Sequence, residues 1–256
     1  MTNSLVLYEV KDQIAYITLN RPEKRNAFNA ALYSELGKAW ECFEQDPDAR
    51  VAILSGAGKV FCAGADVSEF GTSGPAYGSQ LSPTNWNGVK VLKPVVGAVH
   101  GYAIGAGYGL AVKGCDITVA AEGTKFAEIE ARLGLSGLEF PYVPYMPFKI
   151  SLEFFLTGEF LTAERAYELG IVNEVVPQVE LMNEAIKYAD ILKKNAPLTL
   201  RALKYAHYKA MDELYARGGN AAREFETFVQ PVRESEDIKE GPRAFFEKRE
   251  PVFKGR

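Results

Sequence analysis

Hydrophobic and polar positions follow two rhythms along this chain. In the first half, short and mainly apolar runs recur at Ile14–Leu19, Val51–Leu54, Val95–Val99 and Ile117–Ala121. Each is too short for a core helix and predicts a strand. Runs apolar on both faces suit strands covered on both sides, as in α/β architectures. The first run ends at Asn20-Arg21-Pro22, a turn signal. Between these runs the period changes. Leu32, Leu36, Ala39, Trp40 and Phe43 fall at helical spacing, with Asn29 placed to cap the helix and Pro47 to close it. A second helix is expected over Ala106–Val112, directly after a glycine-rich turn.

The second half is helical. Thr162 predicts the cap of a short helix ending at Gly170. Leu181, Ala185, Tyr188, Ala189 and Leu192 form one stripe, and further helices are expected over 198–216, 219–230 and 241–249. Residues 67–92 keep neither rhythm. Gly71, Ser73, Gly74, Pro75, Gly78, Ser79, Ser82 and Pro83 crowd that stretch, which predicts a long loop with at most one short helix. It reads as a lid over a ligand or as an ordinary surface excursion. No internal repeat or low-complexity tract is present. The layout is a β/α core followed by a helical C-terminal region.

Bulk properties narrow the function. The 256 residues fit one large domain, or one with a helical appendage, and at 47% hydrophobic and 24% charged they can bury a sizeable core. A net charge of −4 gives no reason to expect nucleic acid or an anionic membrane as a partner. Met1–Leu5 lacks the basic start and apolar stretch of a signal peptide, and no run approaches the roughly 18 apolar residues of a membrane helix. Cys42, Cys62 and Cys115 are odd in number and far apart, with no CxxC. They are expected to be reduced thiols in a cytoplasmic protein. With His100 and His207 its only histidines, the chain offers little for zinc, and no metal is expected. His207 is expected to face solvent, and His100, beside the glycine-rich turn, reads as structural or as lining a site.

Three familiar motifs fail. Gly56-Ala57-Gly58-Lys59 lacks the glycine at position 53 and the Ser or Thr at position 60 that a P-loop needs. Gly105–Leu110 misses the last glycine of a dinucleotide fingerprint. There is no GxSxG. What remains is a pair of glycine-rich turns, each after an apolar run: Phe61-Cys62-Ala63-Gly64-Ala65-Asp66 and Gly101-Tyr102-Ala103-Ile104-Gly105-Ala106-Gly107-Tyr108-Gly109. Each can offer bare backbone N–H groups. Two such donors aimed at one point are what a developing oxyanion needs.

Several segments share a family pattern. Asn20-Arg21-Pro22 with Arg25-Asn26-Ala27, the first glycine turn, and Lys93–Tyr102 lead the series. Cys115-Asp116-Ile117, Leu156-Thr157-Gly158-Glu159, Thr162–Ala166, Gly170–Val176 and Phe245–Arg249 follow in order. Across nearly its whole length the chain resembles the enoyl-CoA hydratase/isomerase (crotonase) superfamily. The resemblance implies an α/β, crotonase-like (ClpP/crotonase) spiral of ββα units over 1–195, holding acyl-CoA. It implies a C-terminal helical trimerisation region over 196–256, and a homotrimer or dimer of trimers. The substrate would be an acyl-CoA thioester, with coenzyme A arriving as part of it and no separate cofactor. By position, Ala65 and Ala106 would supply the oxyanion-hole N–H groups, with the helix start at Ala106 adding to the attraction. Losing one such donor typically costs about 3–4 kcal/mol of barrier. Lys24, Arg25, Ala27, Ala63 and Asp66 would contact coenzyme A, and Phe245 and Lys248 would complete that site, often from a neighbouring subunit.

The chain departs from the family at one acid. Hydratases of the family commonly use two glutamates, the first three residues after the donor at Ala106. Gly109 stands there, whereas the second is retained as Glu130. A single carboxylate can still shuttle a proton between carbons of an enolate. For Glu130 the alternative is a structural ion pair with Arg132 or Lys125. Glu139 lies near where some family isomerases carry their acid, in a displaced register, and reads as a catalytic acid or a solvated loop carboxylate. Three functions follow. One is double-bond isomerisation or hydration of an enoyl-CoA. Another is acyl-CoA binding without catalysis. The third is hydrolysis or lysis of a bulky acyl-CoA, with Phe140, Tyr142, Tyr145, Phe148 and Phe155 either lining a wide pocket or forming core.

Overall fold

Every apolar run forms the strand it predicts, and the short polar-flanked strands between them complete the sheets. The computed structural model describes residues 4–69, 81–82, 85–86, 89–135, 146–216 and 230–255. The chain begins with β1 (Val6–Lys11) and β2 (Ile14–Leu19), an antiparallel hairpin turned at Asp12 and Gln13, both at positive φ. α1 (Ala30–Gln45) follows. Its cap is Asn29, whose Oδ1 accepts from Leu32 N at 2.9 Å, and its predicted apolar face is fully buried. Next come β3 (Val51–Gly56), the two-residue pair β4 (Leu81–Ser82) and β5 (Asn85–Trp86), then β6 (Val95–Val99), β7 (Tyr102–Ile104) and α2 (Ala106–Val112). β8 (Ile117–Ala121), β9 (Lys125–Ala127), α3 (Glu130–Leu133), α4 (Phe148–Thr157), β10 (Leu161–Thr162), α5 (Ala163–Glu168) and β11 (Glu174–Val176) continue the pattern. The described chain closes with α6 (Leu181–Lys194), α7 (Pro197–Ala216), the helical residues 230–234 and α8 (Asp237–Glu247).

The main sheet has the order β1-β2-β3-β6-β8-β11, parallel from β2 onward, and a smaller sheet has the order β10-β9-β7. A strand of the main sheet, a strand of the small sheet and a helix recur as a unit in β6-β7-α2 and β8-β9-α3. Both faces of the main sheet are covered. Ala52 and Leu54 pack with Leu32, Leu36, Phe43 and Phe61 on one side. Val51, Ile53, Val96 and Val119 pack with Leu181, Ala185 and Ala189 of α6 on the other. The unbroken apolar runs follow from this double burial.

Several elements differ from expectation. β1 alternates buried and solvent-facing residues at a sheet edge, so it lacks a continuous apolar run. The strands β7, β9, β10 and β11 have only two or three residues, too few to show a period. In the 67–92 stretch, the described residues hold a 3-10 turn at Val67–Glu69 and the β4–β5 pair. Nearly all of the 219–230 helix lies outside the described residues. The helix expected over 241–249 begins at Asp237 instead, with Gly241 and Pro242 inside it. Pro242 removes one ladder bond, but tertiary contact compensates. A Cβ on Gly241 would lie 1.7 Å from Leu133 O, so α8 rests its backbone on α3.

The C-terminal helices are anchored by buried polar ties as well. Lys204 Nζ of α7 donates to Asp116 Oδ2 at 2.8 Å and to Lys93 O at 3.0 Å, and Tyr208 Oη donates to Asp116 Oδ1 at 3.0 Å. The segment after α8 folds back on it. Lys254 N and Gly255 N donate to Asp237, Val252 N donates to Glu240, and Phe253 reaches Gly134 at the end of α3. Gly241→Ala should therefore destabilise the protein. Alanine gains about 1 kcal/mol of helix propensity, but overpacking typically costs about 1–3 kcal/mol or more. Here the clash is with backbone, which cannot swing aside. Urea unfolding should show a lower midpoint.

Candidate active site

The two glycine-rich turns lie side by side. Phe61 N donates to His100 O at 2.8 Å, Cys62 N to Tyr102 O at 3.0 Å, and Ile104 N to Cys62 O at 3.1 Å. Glycine is required where they touch. A Cβ on Gly64 would lie 2.8 Å from Ile104 O, and one on Gly107 would lie 2.5 Å from Cys62 O. Gly64 and Gly105 also sit at φ of +94° and +52°, in the region that favours glycine. Each immediately precedes one of the two expected donors.

Neighbouring bonds leave both donor amides unused. Phe28 N donates to Gly64 O and Asp66 N donates to Phe28 O, each at 2.7 Å, which brackets Ala65. Gly105 N donates to Ala127 O at 2.8 Å, and the first intrahelical bond of α2 runs from Gly109 N to Gly105 O. Among the described residues, neither Ala65 N nor Ala106 N donates to a protein acceptor. Both residues are half-buried, so both amides stand at the edge of accessible space.

Glu130 opens α3 beside this pair. Its Oε1 lies 3.2 Å from where a Cβ on Gly105 would be. Its Oε2 is buried and accepts no hydrogen bond. A buried carboxylate oxygen without a partner is costly in a native protein and calls for an explanation. The ion-pair alternative does not form. Arg132 faces Glu159 at 3.7 Å, and the Lys125 ammonium sits over the Phe160 ring at 5.7 Å. Gly109, one turn into α2, is buried and brings no side chain. Glu139 lies outside the described residues, as do Phe140, Tyr142 and Tyr145. Phe148 is exposed, Phe155 packs against the core, and the Tyr108 ring is buried against Phe126 and Phe154.

The early loop forms the next wall. Pro22–Lys24 is a 3-10 turn that leaves Lys24 and Arg25 exposed and Ala27 buried, and Ala63 N donates to Arg25 O at 3.0 Å. Sequence reasoning quoted Asn26 only as part of a motif, yet it holds this wall in place. It is fully buried, and its Nδ2 donates to Ala57 O, Val60 O and Phe61 O while its Oδ1 accepts from Arg21 N. The one local signal is an asparagine where left-handed backbone occurs, at φ 54°. Asn26→Ala strands the buried carbonyls of Val60 and Phe61, the half-buried carbonyl of Ala57 and the Arg21 N–H. A stability loss of about 2–3 kcal/mol is expected from the unsatisfied groups alone. Thermal unfolding checks this, with a raised KM for substrate as the companion effect.

Asp66, expected among the coenzyme A contacts, turns its carboxylate inward. Arg21 Nη1 meets its Oδ2 at 2.6 Å. Burial by itself would raise this carboxyl, but hydrogen bonds from Ser68 and from Arg21 outweigh that and hold it below its ordinary value. Burial pushes the Cys62 thiol up to about 12, partly offset by its contact with the Gly64 backbone, so it stays protonated and donates to Asn26 O. Phe245 and Lys248 stay exposed at the C-terminal end of α8, the helix that packs on α3. His100 Nε2 lies 3.1 Å from Gly58 O, and His207 is exposed. No helix among the described residues is long and apolar enough to cross a membrane.

Known proteins resemble the chain along its whole length. A family model described as enoyl-CoA hydratase/isomerase matches residues 9–256. Enoyl-CoA hydratase EchA19 of Mycobacterium tuberculosis is 34% identical, over 98% of this chain and 96% of its own. A carnitinyl-CoA dehydratase of Salmonella agona is 40% identical, over 95% of each. Among solved structures, carnitinyl-CoA hydratase from Mycobacterium avium superposes with a TM-score of 0.86 at 35% identity, covering 100% of both chains.

Proposed function

The chain belongs to the enoyl-CoA hydratase/isomerase family, and from that premise we propose that it acts on an acyl-CoA thioester through an enolate, with Glu130 as the proton carrier. The thioester oxygen accepts from Ala65 N and Ala106 N. Glu130 takes a proton from the α-carbon, and the electron pair left behind spreads onto the thioester oxygen. Donors fixed in advance need no reorganisation as that charge grows. Returning the proton at the γ-carbon of the extended enolate shifts the double bond and restores the Glu130 carboxylate.

One observation carries this reading. Glu130 Oε2, a buried carboxylate oxygen that accepts no hydrogen bond, stands beside the turn of the unused Ala106 amide, while Gly109 supplies no second acid. Double-bond isomerisation needs one proton carrier, so it fits best. Hydration or dehydration is the second reading, favoured by the names of the relatives. It requires Glu130 to serve both the α-carbon and the water. Lys24 and Arg25 suit the phosphates of coenzyme A, and backbone groups at Ala27 and Ala63 suit its adenine. Phe245 and Lys248 would finish that site from a neighbouring subunit of a trimer or dimer of trimers. The chemistry calls for no group beyond the coenzyme A carried by the substrate, in a cytoplasmic enzyme.

The test is mass spectrometry of 2-enoyl-, 3-enoyl-, saturated and aromatic-acyl-CoA thioesters incubated with the protein in D₂O and, separately, in ¹⁸O-water. Deuterium gained at the α- or γ-carbon without ¹⁸O supports isomerisation. Uptake of ¹⁸O into the acyl chain establishes the second reading. Release of free coenzyme A would point to a hydrolase. Binding with no exchange at all would sink both readings.

A further inference from the structure

A second feature of the first turn concerns how its donor is aimed. Arg21 and Asp66 stand 45 residues apart in sequence and meet as an ion pair of 2.6 Å, their side chains only 12% and 9% exposed. The same Arg21 Nη1 donates to Ala27 O at 3.0 Å. Asp66 Oδ1 accepts from Ser68 N at 3.1 Å and from Ser68 Oγ at 2.5 Å. One guanidinium therefore joins the loop that begins at Arg21 to the turn that carries Ala65. The backbone repeats the tie, because Asp66 N and Gly64 O both bond to Phe28, one residue beyond Ala27.

Ordinary stability is a poor reason for this pair. Desolvating two charges can cost as much as their attraction returns, and apolar replacements of similar shape are often neutral or better. What such a pair supplies is a fixed direction. The Ala65 N–H lies in the Gly64–Ala65 peptide plane, whose carbonyl oxygen accepts from Phe28 N, and the next peptide's Asp66 N donates back to Phe28 O. These bonds hold both peptides around Ala65, and the Arg21–Asp66 contact clamps the side chain that directly follows them.

We propose that Arg21 and Asp66 are positioning residues for the reaction. Their ion pair aims the Ala65 N–H at the thioester oxygen and locks the coenzyme A loop in register with it. Neither touches the substrate. The proposal rests on Ala65 being an oxyanion donor.

The experiment uses a chromophoric aryl-enoyl-CoA thioester, whose absorbance moves to longer wavelength when its carbonyl is polarised. Full-length wild type, Arg21→Gln, Asp66→Asn, the double variant and Arg21→Lys are compared at saturating thioester, below their unfolding temperatures. Each single loss should shrink the red shift and lower the α-proton exchange rate of a saturated or 3-enoyl-CoA, followed in parallel, about tenfold or more, since small misplacements of catalytic groups cost up to about a hundredfold. KM should move far less. The double variant should be no worse than the poorer single, because the pair acts as one unit. Arg21→Lys, which keeps the charge and folds most readily, should restore part of the red shift. Folded variants with the wild-type red shift and exchange rate would overturn the proposal. So would losses confined to KM or melting temperature. A wild type that binds thioesters with neither red shift nor exchange would instead remove Ala65 as a donor, a separate failure that shows before any variant is compared.

Discussion

Glu130→Gln is expected to lower α-proton exchange by about 10²–10⁴-fold, the range spanned by general acid–base groups. Thioester binding should change little. Glutamine keeps the shape of the side chain beside Gly105 but cannot take up a proton. The carboxylate's ties predict a clean separation of rate from affinity. Its Oε2 accepts no hydrogen bond, and neither Arg132 nor Lys125 pairs with it. Removing the charge therefore breaks no ion pair and strands no cation. Deuterium wash-in followed by mass spectrometry measures the rate, and calorimetric titration with a saturated acyl-CoA measures the affinity. Exchange that survives the substitution would move the proton carrier elsewhere, with Glu139 the next residue to replace.

Ala106→Pro should cost about 10²–10³-fold in kcat, the usual consequence of deleting one oxyanion donor. Proline has no N–H, and Ala106 is the first residue of α2, where proline is well tolerated because that N–H has no intrahelical partner. The residue before it is also suitable. Gly105 sits at φ 52° and ψ −117°, the mirror image of the extended conformation that a pre-proline residue needs. The helix should therefore survive while the donor is lost. Ala106→Gly is the control, since it keeps the N–H and should keep most of the rate. If the proline variant folds, binds thioesters and turns over like wild type, Ala106 is not a donor.

Legibility in the sequence tracked the range of the forces involved. β2, β6, β8, α1 and α2 could be read because local period and caps decide them, as with Asn29 and the stripe from Leu32 to Phe43. β9 and α3 could not, since three or four residues carry no period and their pairing partners lie far along the chain. The glycine turns were visible as composition. Their need for glycine comes from approaches between Gly64 and Ile104 and between Gly107 and Cys62, which only the fold brings about. Asn26 and the Arg21–Asp66 pair were hidden for the same reason, because their partners are 31 to 45 residues away. α8 was expected from residue 241 and begins four residues earlier, at Asp237, with Pro242 inside it.

The brace on α3 has a consequence for how the protein is made. Ribosomes deliver the chain from its N-terminus, and domains organise as their parts emerge. The contacts that set the two glycine turns side by side join Phe28 to Ala65 and Cys62 to Ala103, so they can close early. The contact that seats Glu130's helix joins Leu133 to Gly241, more than a hundred residues later. A nascent chain stalled between those points would own the Ala65 and Ala106 amides yet hold Glu130 on a four-residue helix that lacks its contact with α8. The proposed site is thus complete only near the end of synthesis, after the sheet has formed.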